Sequence, residues 1–264
     1  MKLFQVDSFT SQPFSGNPAG VCIADKEISE PTMQNIAAEI NCSETAFLKR
    51  VDNGYSIRFF TPTQEVDLCG HATLASSHIL FELGLEKRDA GILFHANNDD
   101  IPVNCNDGWI SMGFPKDHLI DETLPVPIQS ALGFSDGVVA VKKSIKMDRY
   151  LIEVDSQKRV LEANPDLPAL KSSRTIVSVT SRSRENKYDF VSRFFAPHAG
   201  IPEDPVTGSA HTSLGEYWSG KLNKNSLTGF QLSKRGGEVR VDVEDKHNKI
   251  MGKAVTLFKI EPLF

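Results

Sequence analysis

Arg58-Phe59-Phe60-Thr61-Pro62 is the stretch that decides the fold, because it returns later in the chain as 193–197 (Arg-Phe-Phe-Ala-Pro). A second block, 68–74 (Leu-Cys-Gly-His-Ala-Thr-Leu), follows the first copy, and 206–212 (Val-Thr-Gly-Ser-Ala-His-Thr) follows the second. One short match could arise by chance. Two matched blocks in the same order, half a chain apart, predict two homologous halves.

Each half also has the same local pattern. A strand rich in β-forming residues ends at a proline, an acidic loop follows, and a glycine then opens a helix. The helices are predicted at 71–83, closed by Gly84, and at 209–219, closed by Gly220. The first helix is apolar or small almost all round, which is typical of a buried helix.

These patterns predict an α+β fold of two pseudo-symmetric domains, each a strongly twisted β-sheet or barrel around a central helix. The domains are predicted at 1–115 and 116–264, and the final strand, within 249–260, is allowed to cross back to the first domain. The proline-containing segment 116–127 is interpreted as a hinge. An amphipathic helix is predicted after Ser29 and Pro31.

Composition excludes several classes of protein. The 264 residues are 40% apolar and 24% charged with a net charge of -5, as in ordinary soluble globular proteins. No apolar run is long enough for a transmembrane helix, and basic residues are too dispersed for a nucleic-acid site. The first nine residues resemble a strand rather than a signal peptide, so we expect a cytoplasmic protein with reduced cysteines.

Metal binding is not predicted from cysteine or histidine spacing. The four cysteines contain no Cys-x-x-Cys pair. No metal-ligand spacing is found among His95, His118, His198, His211 and His247. A racemase with two cysteine bases is also disfavoured, because Thr207 stands where the first half has Cys69. The simpler interpretation of Cys69 is a small buried residue.

Glu44 is the candidate acid–base. It lies between the end of a predicted helix and an apolar strand, where desolvation would raise the pKa of its carboxyl and suit it to take a proton from carbon. An exposed loop glutamate is the alternative, and the residues alone leave both open.

Gly70 and Gly208 are the candidate anion-binding positions. Each precedes a predicted helix, whose first N–H groups attract negative charge. Either glycine could instead serve a tight turn, but its recurrence in both halves favours function. His71, Asp204 and Ser209 are candidates for substrate binding, and Asn17 is either a turn residue or a further contact.

Together these motifs resemble the PhzF-like family of phenazine biosynthesis, within the diaminopimelate-epimerase-like superfamily. The resemblance rests on blocks at 7–21, 43–47, 58–73 and 203–210, in that order. It implies two domains with a site between them, and a homodimer. The family enzyme with a well-defined reaction moves a proton between ring carbons of a dihydro-hydroxyanthranilate without a cofactor, but the resemblance does not establish the substrate of this chain. It also implies that Glu44 is the acid–base, and that His71, Asp204 and Ser209 bind and assist.

The leading hypothesis is therefore a cofactor-independent isomerase or epimerase acting on a small carboxylate metabolite. A non-catalytic metabolite-binding or interaction protein on the same scaffold is the alternative. A serine hydrolase using Ser209, His71 and Asp204 is a third hypothesis, although 207–210 (Thr-Gly-Ser-Ala) lacks the Gly-x-Ser-x-Gly motif. The sequence does not identify the substrate.

Overall fold

The computed structural model describes residues 1–97, 99–133 and 136–263. The chain divides into two compact units, of which the first comprises Met1–Gly113 and Met251–Phe264 and the second comprises Phe114–Ile250. The sequence-based prediction placed the boundary between the two domains after residue 115, whereas the structure places it after Gly113. The structure also assigns the final strand to the first unit, where it pairs with the first strand of the chain.

Strands and helices alternate in a similar order in the two units. The strands are β1 (Lys2–Ser8), β2 (Asn17–Ile23), β3 (Glu44–Val51), β4 (Gly54–Phe60), β5 (Glu65–Val66), β6 (Ile92–His95), β7 (Asp100–Asn106), β8 (Trp109–Pro115), β9 (Leu119–Asp121), β10 (Val138–Ser144), β11 (Arg149–Val154), β12 (Ile176–Arg182), β13 (Phe190–Ala196), β14 (Ile201–Asp204), β15 (Ser226–Gln231), β16 (Gly237–Val243), β17 (His247–Gly252) and β18 (Ala254–Ile260). The helices are α1 (Glu30–Ile40), α2 (Gly70–Glu82), α3 (Val126–Leu132), α4 (Gln157–Glu162), α5 (Leu167–Ser172) and α6 (Ala210–Leu222).

Strand pairing confirms the internal repeat. In the first unit, β18 is antiparallel to β1, β1 is antiparallel to β2, and β2 is parallel to β3. Then β3 is antiparallel to β4, β4 is parallel to β6, and β6 is antiparallel to β7. In the second unit β9, β10, β11, β12, β13, β15 and β16 pair in the same order and directions.

Each unit has the predicted central helix. In α2 the first eight side chains after Gly70 are buried except that of His78, and the helix packs against β1, β2, β3 and β18. The hydroxyls of Thr73, Ser76 and Ser77 donate to carbonyls one turn earlier, which satisfies these polar groups inside the core. Helix α6 packs against β15 and β16. The predicted α+β fold is confirmed.

Helix α6 extends beyond its predicted end. Gly220 lies inside the helix, which continues to Leu222 and ends at Asn223 in the left-handed conformation. The prediction was wrong because asparagine also tolerates this conformation, so Gly220 was not needed as the cap.

Helix α1 forms as the sequence predicts. The Ser29 hydroxyl accepts a hydrogen bond from the Thr32 N–H, Pro31 occupies the first turn, and Met33 and Ile36 are buried in the core. In the second unit the two short helices α4 and α5 occupy this place in the order of elements. Their weak periodicity gave no signal in the sequence.

Two segments differ from their predicted structure. Residues 116–127 contain β9 and the first two residues of α3, so this proline-containing segment is not a hinge without secondary structure. The strand predicted within 249–260 is two strands, β17 and β18, separated by Lys253. Short strands with a single intervening residue cannot be distinguished from one strand by alternation alone.

An arginine–glutamate pair recurs in both units. Arg58 on β4 donates to both carboxylate oxygens of Glu65 on β5, at 2.7 and 2.6 Å. Arg193 on β13 donates to both oxygens of Glu203 on β14, at 2.6 and 2.9 Å. The repeated arginine of the sequence therefore fastens each hairpin that leads to a central helix.

We expect Arg193→Lys to destabilise the second unit by about 1–3 kcal/mol, because lysine cannot make the two parallel bonds to Glu203. Arg193 also donates to the Ala163 carbonyl at 2.5 Å, just past the end of α4. Urea unfolding monitored by circular dichroism measures the change. Arg159→Lys, at an arginine paired with Asp155, is the control and should leave the midpoint unchanged. Equal effects of the two substitutions would contradict this account.

Among the described residues no helix combines the length and apolar character needed to span a membrane.

Candidate active site

The first unit brings Glu44, Cys69 and His71 together from different elements. Glu44 begins β3, Cys69 immediately precedes α2, and His71 lies in the first turn of that helix. Their ligand atoms lie within 4.8 Å of one another. We call these three residues, together with Ser43, the acid–base cluster.

The His71 imidazole lies at the centre of this cluster. Its Nε2 lies 3.4 Å from Glu44 Oε2 and 3.3 Å from Ser43 Oγ, while its Nδ1 lies 3.3 Å from Cys69 Sγ. The imidazole side chain is 8% exposed and the Glu44 side chain 13% exposed. The buried ring thus has the carboxyl and a hydroxyl near one nitrogen and a thiol near the other.

Burial raises the pKa of the Glu44 carboxyl above its ordinary value. The hydroxyl of Ser43 and the thiol of Cys69 oppose this shift less strongly, because they stabilise the ionised form. A carboxyl with a raised pKa is a stronger base than an exposed glutamate once it has lost its proton. The structure therefore places Glu44 in desolvated surroundings, as its interpretation as an acid–base requires, and not in an exposed loop.

The pKa shift predicts how Glu44→Gln changes stability with pH. A raised folded-state pKa means that the wild-type carboxyl stabilises the fold below its unfolded pKa and that this contribution is lost as the pH rises through the folded pKa. Glutamine has no such loss. We therefore expect the melting temperature of the variant, relative to wild type, to rise between pH 4 and pH 8. Thermal scans across this range test it, with exposed Glu39→Gln as the flat control.

Asn17 lies beside this cluster rather than in the turn that was one of its two interpretations. It is the first residue of β2, fully buried, and its Oδ1 accepts a hydrogen bond from Ser43 Oγ at 3.2 Å. The preceding loop is held by Asp7, whose carboxylate accepts from the Phe14 N–H at 2.8 Å. Asn17 therefore positions Ser43, which in turn contacts His71.

Cys69 is buried, as its sequence interpretation states, but its sulfur belongs to the acid–base cluster. The sequence offered no metal spacing because Glu44 comes from a distant strand. A carboxylate, a thiol and an imidazole at these separations form a donor set that a zinc ion accepts. The prediction of no metal site was based on the spacing of cysteines and histidines along the sequence. That spacing could not reveal a cluster whose residues come together only in the fold.

The second unit brings Asp204, Thr207 and Gln231 together around the loop before α6. Thr207 Oγ1 donates to the Asp204 carboxylate in a short hydrogen bond. Gln231 Nε2 donates to the Asp204 carbonyl at 2.7 Å, and its Oε1 accepts from the Thr207 N–H at 3.0 Å. Asp204 is therefore buried with a hydroxyl partner, and Gln231 fixes the loop from both sides.

Gly70 and Gly208 stand at the starts of α2 and α6, as predicted. Neither residue has a positive φ, so a left-handed turn does not explain either glycine. The two positions are equivalent in the repeat, as are Cys69 with Thr207 and His71 with Ser209. The units have therefore kept the glycine and changed the side chains around it, and α6 begins two residues after Gly208 whereas α2 begins at Gly70.

Ser209 contacts Arg149, a residue that the sequence analysis missed. Arg149 begins β11 and lies far from Ser209 in the sequence, and a single arginine before a strand carries no motif. Its guanidinium donates to Ser209 Oγ at 3.3 Å. Because arginine cannot accept a hydroxyl proton, this contact disfavours a hydrolase in which Ser209 is the nucleophile.

Known proteins match this chain in sequence and in fold. The family model described as phenazine biosynthesis-like protein, PhzC-PhzF, matches residues 6–260. The chain belongs to the PhzC-PhzF family. An uncharacterized isomerase from Halalkalibacterium halodurans is 43% identical over 263 residues, which are 99% of this chain and 98% of that protein.

Solved structures agree with this assignment. A PhzF family protein from Enterococcus faecalis has a TM-score of 0.93 at 34% identity, with both chains fully covered. A hydroxyproline epimerase from Agrobacterium vitis, solved with trans-4-hydroxy-L-proline, has a TM-score of 0.61 at 12% identity and is covered over 91% of its length, against 98% of this chain. The second likeness concerns the fold alone, and it extends the fold of the PhzC-PhzF family to epimerases.

Proposed function

We propose that this protein is a cofactor-independent isomerase or epimerase that moves a carbon-bound proton on a small carboxylate metabolite. Glu44 is the acid–base. The single observation that carries the proposal is its carboxyl, buried beside His71 with a raised pKa. Relatives named isomerases, covering nearly the whole chain, support the reaction class.

The proton balance of the reaction needs only this carboxyl. The ionised Glu44 takes a proton from a carbon next to a carbonyl or carboxylate, and the electron pair of the broken C–H bond moves into an enolate-like system. The protonated Glu44 then returns the proton to a different carbon in an isomerisation. In an epimerisation it returns the proton to the opposite face of the same carbon, after the planar intermediate has turned that face toward Glu44. His71 stabilises the ionised carboxyl through its nearby Nε2.

Stabilisation of the enolate-like charge is assigned to the start of α2, which belongs to the same unit as Glu44. The N–H groups at Gly70 and Gly208 and the hydroxyl of Ser209 are donors of the kind that bind carboxylates and developing negative charge. Asp204 binds an amine or hydroxyl of the substrate. Homodimer formation and a cytoplasmic location stay predictions.

Solvent deuterium exchange tests the proposed reaction. The wild-type protein, dialysed against EDTA, is incubated in D₂O with a panel of small amino and hydroxy carboxylates, and proton NMR follows each C–H signal. We expect at least one compound to lose a C–H signal next to its carboxylate. Compounds that bind without exchange would favour the non-catalytic alternative. Exchange that disappears on EDTA treatment and returns with added metal would contradict the cofactor-independent mechanism.

A further inference from the structure

Strand register shows that the two units differ at the position of the acid–base. Thr45 pairs with Phe60 in the first unit, and Val177 pairs with Phe195 in the second. Since Phe60 and Phe195 are equivalent in the Arg-Phe-Phe repeat, the residue equivalent to Glu44 is Ile176.

The neighbouring strand completes this comparison. Glu44 lies beside Ala19 on β2, and Ile176 lies beside Arg149 on β11. Where the first unit has a small residue next to a carboxyl, the second unit has a guanidinium next to an aliphatic side chain. In this pair of equivalent positions the first unit therefore has an acid, Glu44, and the second unit has a cation, Arg149.

Arg149 is a buried cation without a carboxylate partner. It is 4% exposed, and no carboxylate among the described residues lies within ion-pair distance of it. The nearby Asp117 attracts the guanidinium through space, while its carboxylate oxygens accept hydrogen bonds from Ser144 and Ser213. Burial lowers the pKa of Arg149 to about 10, so the side chain remains charged at neutral pH. A buried charge is costly unless other groups compensate it.

The guanidinium of Arg149 is directed at Ser209. It donates to the Ser209 hydroxyl at 3.3 Å and to the Ser209 carbonyl at 2.5 Å, and it lies 6.0 Å from the ring centre of Phe194. These two bonds fix both the side chain and the backbone of Ser209. The fork of donors holds the residue in one orientation, which a single lysine ammonium could not do.

The proton of the Ser209 hydroxyl is free to bind a ligand. Ser209 Oγ accepts from Arg149, and its own O–H has no acceptor among residues 1–97, 99–133 and 136–263. Within the same described ranges, the N–H groups of Gly208 and Ser209 also lack an acceptor. Ser209 is half-buried and Gly208 is buried, and the three donors belong to these two consecutive residues.

We propose that Arg149 is a positioning residue that commits the Ser209 hydroxyl to donate to a carboxylate of the substrate. Because the hydroxyl accepts from a cation, its proton points away from Arg149 and becomes a stronger donor. The positive charge behind Ser209 adds to the attraction of the α6 N-terminus for an anion. This inference rests on the proposed function for the identity of the carboxylate as substrate, but the contact itself does not depend on Glu44.

A double-mutant cycle tests the inference with acetate as the probe. Acetate is titrated at constant ionic strength into the ¹⁵N-labelled full chain, and the amide signals of Gly208 and Ser209 report binding. The proteins are wild type, Arg149→Lys, Ser209→Ala and the double variant. We expect each single substitution to weaken acetate binding by about tenfold, and the double variant to be no weaker than Ser209→Ala within about twofold.

Two other outcomes would overturn the inference. Losses that multiply in the double variant would show that Arg149 acts independently of Ser209, as a residue with a merely structural role would. The absence of saturable binding to wild type would remove the carboxylate site. Arg159→Lys is the matched control and should bind acetate as wild type does, and thermal scans confirm that Arg149→Lys is folded. Loss of deuterium exchange in Glu44→Gln is measured separately, so failure of the proposed function and failure of this inference are distinguishable.

Discussion

Glu44→Gln is expected to lower the rate of proton exchange at carbon by about 10³-fold or more on any compound that the wild-type protein exchanges. The amide has nearly the shape of the carboxyl but cannot take a proton from carbon. Glutamine can therefore fill the same space, in which the Glu44 side chain is 13% exposed and lies 3.4 Å from His71. The packing around residue 44 should change little. Deuterium incorporation followed by NMR gives both rates on the same compound.

Glu39→Gln is the matched control for this substitution. Glu39 lies on the exposed surface of α1, close to Glu44 in sequence, and carries the same change of charge. It should exchange within twofold of wild type. Glu44→Gln with full turnover would remove Glu44 from the mechanism, and the proposal with it.

His71→Asn is expected to lower the turnover number by about 10²-fold while leaving substrate binding less affected. The imidazole Nε2 lies close to both Glu44 and Ser43, so its loss removes one of the polar groups that surround the carboxyl. Asparagine keeps a polar side chain in the same buried position. Steady-state kinetics on an exchanging compound separates the turnover number from the Michaelis constant.

His78→Asn controls for the packing of α2. His78 lies two turns further along the same helix, is 16% exposed, and has Glu82 as its neighbour at 3.6 Å. It should change the turnover number by less than about twofold, since it has no contact with the reacting groups. Similar losses for His71→Asn and His78→Asn would mean that the first substitution acts by disturbing the helix.

The sequence predicted those parts of the fold that repeat themselves. Arg58 and Arg193 occur in matched blocks because each fastens an equivalent hairpin to an equivalent glutamate. The apolar character of 71–83 predicted a buried helix, since a helix without a polar face must be covered. Glu44 could be proposed because it precedes an apolar strand and lies in a block that resembles the family, although the residues alone left an exposed loop position open.

Contacts between distant elements were not predictable. Arg149 reaches Ser209 across sixty residues of sequence, and its hydrogen bonds leave no pattern in either segment. The cluster of Cys69 with Glu44 was missed for the same reason, because the strand and the helix that bring them together meet only in the fold. The end of α6 was misplaced because Asn223 shares the left-handed preference on which the glycine rule depends.

The central claim is that a buried carboxyl with a raised pKa exchanges a proton with carbon. The most direct test measures the titration of Glu44 by ¹³C NMR of labelled glutamate carboxyls, with Glu44→Gln to assign the signal, and compares it with the pH dependence of deuterium exchange. We expect the exchange rate to rise with pH through the same pKa that the Glu44 signal reports, above the ordinary value of 4.5. A Glu44 carboxyl that titrates at or below 4.5, or exchange that is indifferent to its ionisation, would contradict the mechanism.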